Sequence, residues 1–477
     1  MRDAIVVGGG LAGITAALAL QDSGEWNVKL FEAGKQLGGR VASILDEETG
    51  IKLDNCQHAC FRVYDHFLQL ISRCEAGKSI KFQQKTLISF TNLNSGVTGN
   101  IYDSKLKPPN HMVKSILKFP HLTFKDKLQM RKVVKKLSKM TEEERIGLDD
   151  ISFDKWLKEN GQTQNSIDVF WGFFVLAALN ISVEKASAAQ AAFLFRRGLF
   201  GNSDAFDVGA FAEDLSHIFE NQIYNTLIKS GIKIFKSTKI TSLIWNGEKY
   251  IGVKTPSENF KADLVILATP HNNTKKLLKD GPEPTKRIFD DLSKMEFNSL
   301  IGIHGLYSKK ITEEEFHFTA LIKEPIIQMV FNRNFELSSP TPSNIKQWLS
   351  VPVSYADPYI KYSKQDLEAE YKNVIGKMWP EHEKFLSKIV IIKTPNATFS
   401  TKTGSTKLRP NAEEIIPGLI LCGDYINNNW PSVMEGAVTS GLMAAANALG
   451  MNDWKNEELW KSWPEPPKRG DEHWNKL

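Results

Sequence analysis

The stretch Ala4-Ile5-Val6-Val7-Gly8-Gly9-Gly10-Leu11-Ala12-Gly13 decides the fold. Apolar residues of strand-forming type end at three glycines, as a buried parallel strand ends in a tight turn. The spacing Gly8-x-Gly10-x-x-Gly13 gives each glycine a task. Gly8 permits the turn, Gly10 lets a pyrophosphate approach the backbone, and Gly13 lets the following helix lie close to the strand. From Leu11 to Leu20 small and apolar residues recur at helical spacing, Ser23 and Gly24 stop the helix, and Val28 to Phe31 resumes a strand. The first turn of such a helix offers unpaired N–H groups and a positive dipole end to a phosphate. Glu32, ending the second strand, is placed to accept hydrogen bonds from an adenosine ribose. Strand, helix, strand and terminal acid together predict a dinucleotide-binding unit.

Ala33-Gly34-Lys35-Gln36-Leu37-Gly38-Gly39-Arg40 follows at once. A second glycine turn with an Arg, directly after the ribose acid, suits a second approach to the pyrophosphate of an extended FAD, and so favours FAD over NAD. At the far end, Gly418 to Leu421 reads as a short strand running into Gly423-Asp424, with a helix beginning near Ser432. Asp424 is placed to hold a ribityl hydroxyl, and the helix end to stabilise negative charge on a reduced flavin. Gly436, Ala437, Ser440, Gly441, Ala444 and Ala445 give that helix a small-residue face for close approach to another helix or to the cofactor. Leu11, Ala12, Ala33, Ile240 and Val433 complete the residues expected to line the FAD site.

The fold class expected is α/β: a Rossmann-like FAD-binding lobe of the glutathione-reductase type, discontinuous in sequence, beside a mixed α+β substrate lobe. Lys233 to Trp245 alternates like a strand, Asn246-Gly247 supplies a hairpin turn, and Tyr250 to Lys254 alternates back. Ala262 to Ala268 then reads as another buried strand. The FAD lobe is assigned residues 1–80, 205–290 and 405–450, the substrate lobe 81–204 and 291–404, and a tail 451–477. That tail carries Trp454, Trp460, Trp463 and Trp474 around Pro464, Pro466 and Pro467, and the sequence suggests no role for it.

Composition is that of an ordinary water-compatible globular chain, with 42% hydrophobic residues and a mean hydropathy of −0.28, which excludes collagenous and disordered classes. The longest apolar run, Val169 to Leu179, falls short of a membrane span. The apolar N-terminus is read as mature structure, because cleavage there would remove the nucleotide-binding glycines. Cys56, Cys60, Cys74 and Cys422 form neither a disulfide framework nor metal-ligand spacing, so no metal is expected and a reducing compartment, the cytoplasm, is. Net charge is +5, but the basic residues are unevenly placed. Between Lys105 and Lys139 eleven Lys and Arg face a single acid, Asp126, and apolar residues such as Ile116, Leu117, Phe124 and Leu128 are interleaved with them. This is either a solvated helix face or a basic amphipathic surface able to rest on anionic lipid from the cytoplasmic side. No nucleic-acid motif accompanies the charge.

The glycine loop, the second glycine turn and the C-terminal segment together resemble the flavin-containing amine oxidase and phytoene desaturase superfamily, up to about Leu449. Four stretches resemble, within it, the squalene-associated desaturase-like hydroxysqualene dehydroxylases. Asp54-Asn55-Cys56-Gln57-His58 is similar to D-N-G-Q-H, with Cys56 in place of Gly. Ala177-Ala178-Leu179-Asn180, followed by Ala186 to Ala189, is similar to an A-A-L-N helix opening. Gln328-Met329-Val330-Phe331-Asn332-Arg333 is similar to Q-W-V-F-D-R, and Trp430 to Ala437 to L-P-A-T-I-E-G-A. The segment from Asp207 to Asn221 lacks the prolines of that group, and Asn427 to Trp430 is bulkier and more polar than its usual loop.

The resemblance implies reductive removal of a hydroxyl from an allylic carbinol, giving squalene, with hydride from reduced flavin and an electron donor left open. Loss of hydroxide needs a proton donor, for which His58 comes first and Asp54 second, although His58 could equally just order its loop. An apolar isoprenoid needs apolar walls, and Phe170, Trp171, Phe173 and Phe174 are wall material or ordinary core. The alternatives are a carotenoid or phytoene desaturase, an amine oxidase, whose aromatic sandwich is not evident in Asn427-Asn428-Asn429, and a redox-silent flavoprotein.

Overall fold

The computed structural model describes all residues except 313, 314, 413, 452, 456–458 and 472–474. Strand β1 (Arg2–Val7), helix α1 (Leu11–Asp22) and strand β2 (Trp26–Phe31) form the opening unit. The two strands run parallel, with Val6 opposite Leu30, as a crossover through a helix requires. Ser23 caps α1 and Gly24 takes φ 73°, which ends the helix where the sequence places its stop. Ten consecutive residues of α1, Leu11 to Leu20, are buried, so the helix is a core element and not an amphipathic surface one.

The sheet containing β1 is completed by distant segments: β3 (Lys233–Phe235), β4 (Leu264–Leu267), β5 (Glu414–Ile416) and β6 (Leu419–Leu421). Its order is β3-β2-β1-β4-β6-β5, parallel except for β5 at the edge. In β1 and β4, Ala4 to Val7 and Leu264 to Leu267 are buried without alternation, the pattern of strands covered on both faces. The run Lys233 to Trp245 is a correction to the sequence reading. It divides into β3, which joins the parallel sheet, and a separate strand Ser242–Trp245 in an antiparallel meander with Tyr250–Lys254 and Asn259–Lys261. Apolar alternation is indifferent to which sheet a strand joins, and Ser237, with φ 54°, breaks the run.

A second sheet of seven strands carries the other lobe, in the order Leu386–Phe399, Phe297–Tyr307, Gln347–Val353, Met329–Asn332, Phe318–Leu321, Leu87–Asn92 and Val97–Tyr102. It is antiparallel except where Phe318–Leu321 meets Leu87–Asn92. Helices between 113 and 199 cover it and share one apolar cluster with its inner face. Helix α2 (Met434–Ala448) then returns to the first lobe and crosses α1 in backbone contact: a Cβ added at Gly441 would lie 2.5 Å from the Ala12 carbonyl oxygen. The small-residue face read from sequence therefore meets another helix, the one that opens the glycine loop.

The tail closes over the same lobe. Trp460 and Trp463 are buried in the core cluster that contains α1, and the Trp463 indole N–H donates to Asp22 at 2.8 Å. Trp454 and Trp460 place their rings 5.6 and 5.5 Å from His66. Arg469 pairs with Asp207 and Asp103. Trp474 lies outside the described residues.

Candidate active site

A single cavity of about 910 Å³ begins at the glycine loop and ends among aromatic side chains of the second lobe. Gly8, Gly10, Leu11, Ala12, Glu32, Ala33, Gly38, Gly39, Arg40, Ile240, Gly423, Asp424, Ser432 and Val433 all line it. Gly13 does not. A Cβ on Gly13 would lie 1.9 Å from the Gly8 carbonyl oxygen, so this glycine acts by letting α1 approach β1. Gly8 has φ 118°, and its Cβ would lie 2.5 Å from the Ala268 carbonyl oxygen.

Gly10 differs from both. Its φ is −81°, which any residue adopts, and a Cβ there would meet nothing closer than Gly39 Cα at 4.0 Å. Neither backbone strain nor protein packing demands glycine at this position. The open space beside it belongs to the cavity, where the N–H groups of the first turn of α1 have no side-chain cap. A phosphate fits this cradle in charge and in room. Glu32 accepts from the N–H of Gly9 at 2.8 Å and of Gly34 at 2.6 Å. It thus ties both glycine turns together and lines the cavity, with acceptor capacity left for a ribose hydroxyl.

The C-terminal segment enters the same cavity. Arg40 donates to Asp424 at 2.6 Å and to the Ala397 carbonyl at 3.1 Å, and the Ser432 hydroxyl donates to the other Asp424 oxygen. Burial works to raise the Asp424 pKa, but Arg40 and these hydrogen bonds override it and hold the group below its ordinary value. Gly423, at φ 145°, donates its N–H to Ser440 of α2 at 2.9 Å, which fixes the strand-to-helix turn. The helix starts at Met434, two residues after the expected Ser432. His271 stacks on Phe297 with centroids 4.0 Å apart, and burial pushes its pKa down to about 4.

Beyond this polar end the walls become apolar. Phe173, Phe174, Phe206, Phe318, Met329 and Phe331 line the arm, together with Ala177 and Ala178. The four aromatics read as wall or core divide: Phe173 and Phe174 are wall, and Phe170 and Trp171 are enclosed core. Asn180 does not open a helix as the sequence reading had it; it ends one. At φ 52° it caps Gly172–Leu179, and its side chain and carbonyl stitch that helix to Thr398 and Asn298 of the second sheet and to Tyr355 just beyond one of its strands.

The loop 54–58 contributes to the lining of the same cavity. Asn55, Cys56, Gln57 and His58 line it, but Asp54 does not. Asp54 is buried, accepts from Ser43 at 2.7 Å and from the Leu215 N–H at 3.1 Å, and pairs with Arg333 at 3.4 Å. Burial raises its pKa against the opposing pull of Arg333. Asp54, the second candidate proton donor, thus lies behind the loop that it anchors and away from the cavity lining. Arg333 also pairs with Glu336, which receives Gln57 at 3.1 Å and lies 2.9 Å from His317. Two motifs separate in sequence, 54–58 and 328–333, are thus joined by one buried ionic network.

His58 Nδ1 lies 2.9 Å from the Cys56 carbonyl oxygen. A carbonyl only accepts, so Nδ1 carries the hydrogen, and burial lowers the ring's pKa and keeps it neutral. Nε2 is then a proton acceptor. Sequence reasoning missed Tyr64, which lines the same cavity with its phenol kept protonated by burial. The signal was the aromatic pair Phe61 and Tyr64 directly after the polar loop. Among the described residues no cluster of His, Cys, Asp and Glu could hold a metal, and no helix is long and apolar enough to cross a membrane.

Over residues 11–449 the chain matches the family described as flavin containing amine oxidoreductase. It is 26% identical to the 15-cis-phytoene desaturase of Synechococcus elongatus, over 95% of this chain and 97% of that protein. It is 22% identical to the hydroxysqualene dehydroxylase of Zymomonas mobilis, over 93% and 98%. Its fold is similar to that of putrescine oxidase, with a TM-score of 0.72, 17% identity, and 94% and 99% of the two chains covered. With the glycine loop, Glu32 and the Arg40–Asp424 pair converging on one cavity, the chain belongs to the flavin containing amine oxidoreductase family and is an FAD-dependent oxidoreductase.

Proposed function

We propose that this protein exchanges hydride between FAD and an acyclic isoprenoid. The observation that carries the proposal is the distribution of charge in the cavity. Its charged lining residues, Glu32, Arg40, Lys239, Lys276 and Asp424, come from the segments that build the cofactor end. The apolar arm holds no carboxylate, so a cationic amine would be desolvated there without a counter-charge, whereas a hydrocarbon chain would be at home. The named substrates of the two relatives, phytoene and hydroxysqualene, are of this apolar class.

When bound, FAD supplies a hydride donor or acceptor at its ring. The chain's residues set which direction is served. Reductive dehydroxylation of hydroxysqualene, the reaction implied by the four motif stretches, replaces C–OH by C–H and releases water, so a proton must reach the leaving oxygen. His58 is the sequence's candidate for that proton, and it must first be charged; Tyr64 carries one at rest. Desaturation is the second reading, and the protonation state of His58 favours it. Hydride then leaves one carbon for the flavin, and a proton leaves the adjacent carbon for His58 Nε2.

Anaerobic single turnover separates the readings. Reduced holoprotein given hydroxysqualene should reoxidise and yield squalene; oxidised holoprotein given phytoene should bleach and yield a product with one more carbon–carbon double bond and a longer conjugated system. A chain that does neither, yet bleaches with a primary amine, would remove the isoprenoid reading.

A further inference from the structure

The basic stretch between residues 105 and 139 is used neither by the FAD site nor by the cavity walls. It folds into helices Val113–Lys118 and Phe124–Lys139 on the outside of the second lobe. Its only acid, Asp126, is turned inward: it closes a capping box with Thr123 and accepts from Thr163 and from Asn165 at 3.0 Å. The outward face is left with cations alone. Ten of the eleven basic residues are exposed, and none forms an ion pair with another described residue.

Large apolar side chains lie among these cations. Leu117 is 59% exposed, Phe124 79% and Leu128 52%. Leu106 and Val113 are exposed as well, so five of the twelve exposed large apolar side chains of the described chain fall within 23 residues. On the second helix Phe124 and Leu128 share a face with Arg131, Lys132 and Lys135, which places an apolar tip before a cationic ridge. Lys127 donates to the Leu117 carbonyl at 2.9 Å and fixes one helix to the other, so Leu117 and Phe124 belong to one surface. The inward residues Met112, Phe119, Leu122 and Met130 belong to the same apolar cluster as Phe174, Phe318 and Phe331 of the cavity wall.

We propose that this face docks on an anionic lipid surface, with Leu117, Phe124 and Leu128 entering the headgroup–acyl boundary and the Lys/Arg ridge lying over lipid phosphates. A cluster of exposed apolar residues beside a ridge of cations that have no ion-pair partner among the described residues suits a negatively charged apolar boundary. Its purpose rests on the isoprenoid reading, because such a substrate is dissolved in lipid. The docking itself does not depend on that reading.

Flotation of the FAD-loaded chain with vesicles tests it without any substrate, so a failure of turnover and a failure of docking are separately visible. The wild type should float with phosphatidylglycerol vesicles and stay dense with phosphatidylcholine. The pair Lys132→Gln/Lys135→Gln should weaken partitioning about 25-fold, at roughly five-fold per cation. The pair Phe124→Ser/Leu128→Ser should weaken it at least about ten-fold. Retained flavin absorbance shows that the variants are folded. A wild type that stays dense with phosphatidylglycerol overturns the proposal, as do variants that float like the wild type, equal flotation on phosphatidylcholine, or binding to duplex DNA in place of vesicles.

Discussion

Replacing Gly441 by Ala puts one methyl group between the two helices that hold the cofactor from opposite ends of the chain. The new Cβ would lie 2.5 Å from the Ala12 carbonyl oxygen, 2.7 Å from Thr15 Cβ and 3.1 Å from the Ala16 nitrogen. The first and last of these neighbours are backbone, and α1 is buried over its whole inner length, so rotamer changes relieve little of the strain. Nonbonded heavy atoms rest at ~3.5 Å or more, so α1 and α2 must part by roughly 1 Å. Overpacking of this kind costs about 1–3 kcal/mol. α2 is itself buried along most of its length, so part of this cost falls on the apoprotein, and the rest falls on the holoprotein, where bound FAD fixes the helices relative to each other. The holoprotein's share should appear as lost FAD affinity, up to about 150-fold at ~1.4 kcal/mol per decade. Fluorescence titration of apoprotein with FAD reads this directly, beside melting curves with and without cofactor. Gly147→Ala, whose Cβ has no neighbour closer than 3.5 Å, is the matched control and should bind FAD like the wild type. Wild-type FAD affinity in Gly441→Ala, together with an unchanged melting temperature, would refute the reasoning.

Arg40→Met leaves Asp424 buried without its cation, and should cost roughly 2–3 kcal/mol, below the ~3–5 kcal/mol of a fully enclosed pair because Arg40 is partly exposed. The wild-type Asp424 pKa lies below its ordinary value, so its contribution is present above that value and is lost as pH falls through the folded pKa. Acid release of FAD, followed by fluorescence, should therefore begin at higher pH in Arg40→Met. His271 and His304 both have pKa values pushed down to about 4 by burial. The folded chain then binds fewer protons than the unfolded one, so stability is full above about 6.5 and declines as pH falls toward 4. Replacing His304 by Gln should flatten part of that decline in melting temperature. For His58, a rate that rises with pH and is level by neutrality marks a proton acceptor; a rate that falls over the same range marks a donor. His58→Gln should remove whichever limb is present.

The glycine loop could be read from sequence because its geometry is local. Gly8, Gly10 and Gly13 act within one turn of chain, and Glu32 lies one strand away, so spacing alone implies the geometry. The C-terminal end was legible for the same reason: a strand, Gly423 and Asp424 precede a small-residue helix. What spacing does not carry is the partner across the fold. Asp54 looked like a cavity acid beside His58, but its side chain points to Arg333, some 279 residues away, and only the tertiary structure reveals that pair. Alternating strand patterns likewise do not say which sheet they join, which is why β3 and Ser242–Trp245 read as one. Asn180 was noticed as part of a motif and misplaced at a helix start, because left-handed backbone at a non-glycine residue leaves little trace in composition.

The central claim is that the space beside Gly10 is reserved for FAD and for nothing of the protein's own. Gly10→Val tests it most directly, with flavin content and apoprotein melting measured on the same preparation. Its backbone angles accept valine, and a Cβ there meets no protein atom closer than 4.0 Å. The account predicts a folded chain that melts within ~1 kcal/mol of the wild-type apoprotein, the scale of an N-cap change, and binds no flavin. A Gly10→Val protein that purifies yellow, with the same FAD content as the wild type, would contradict it.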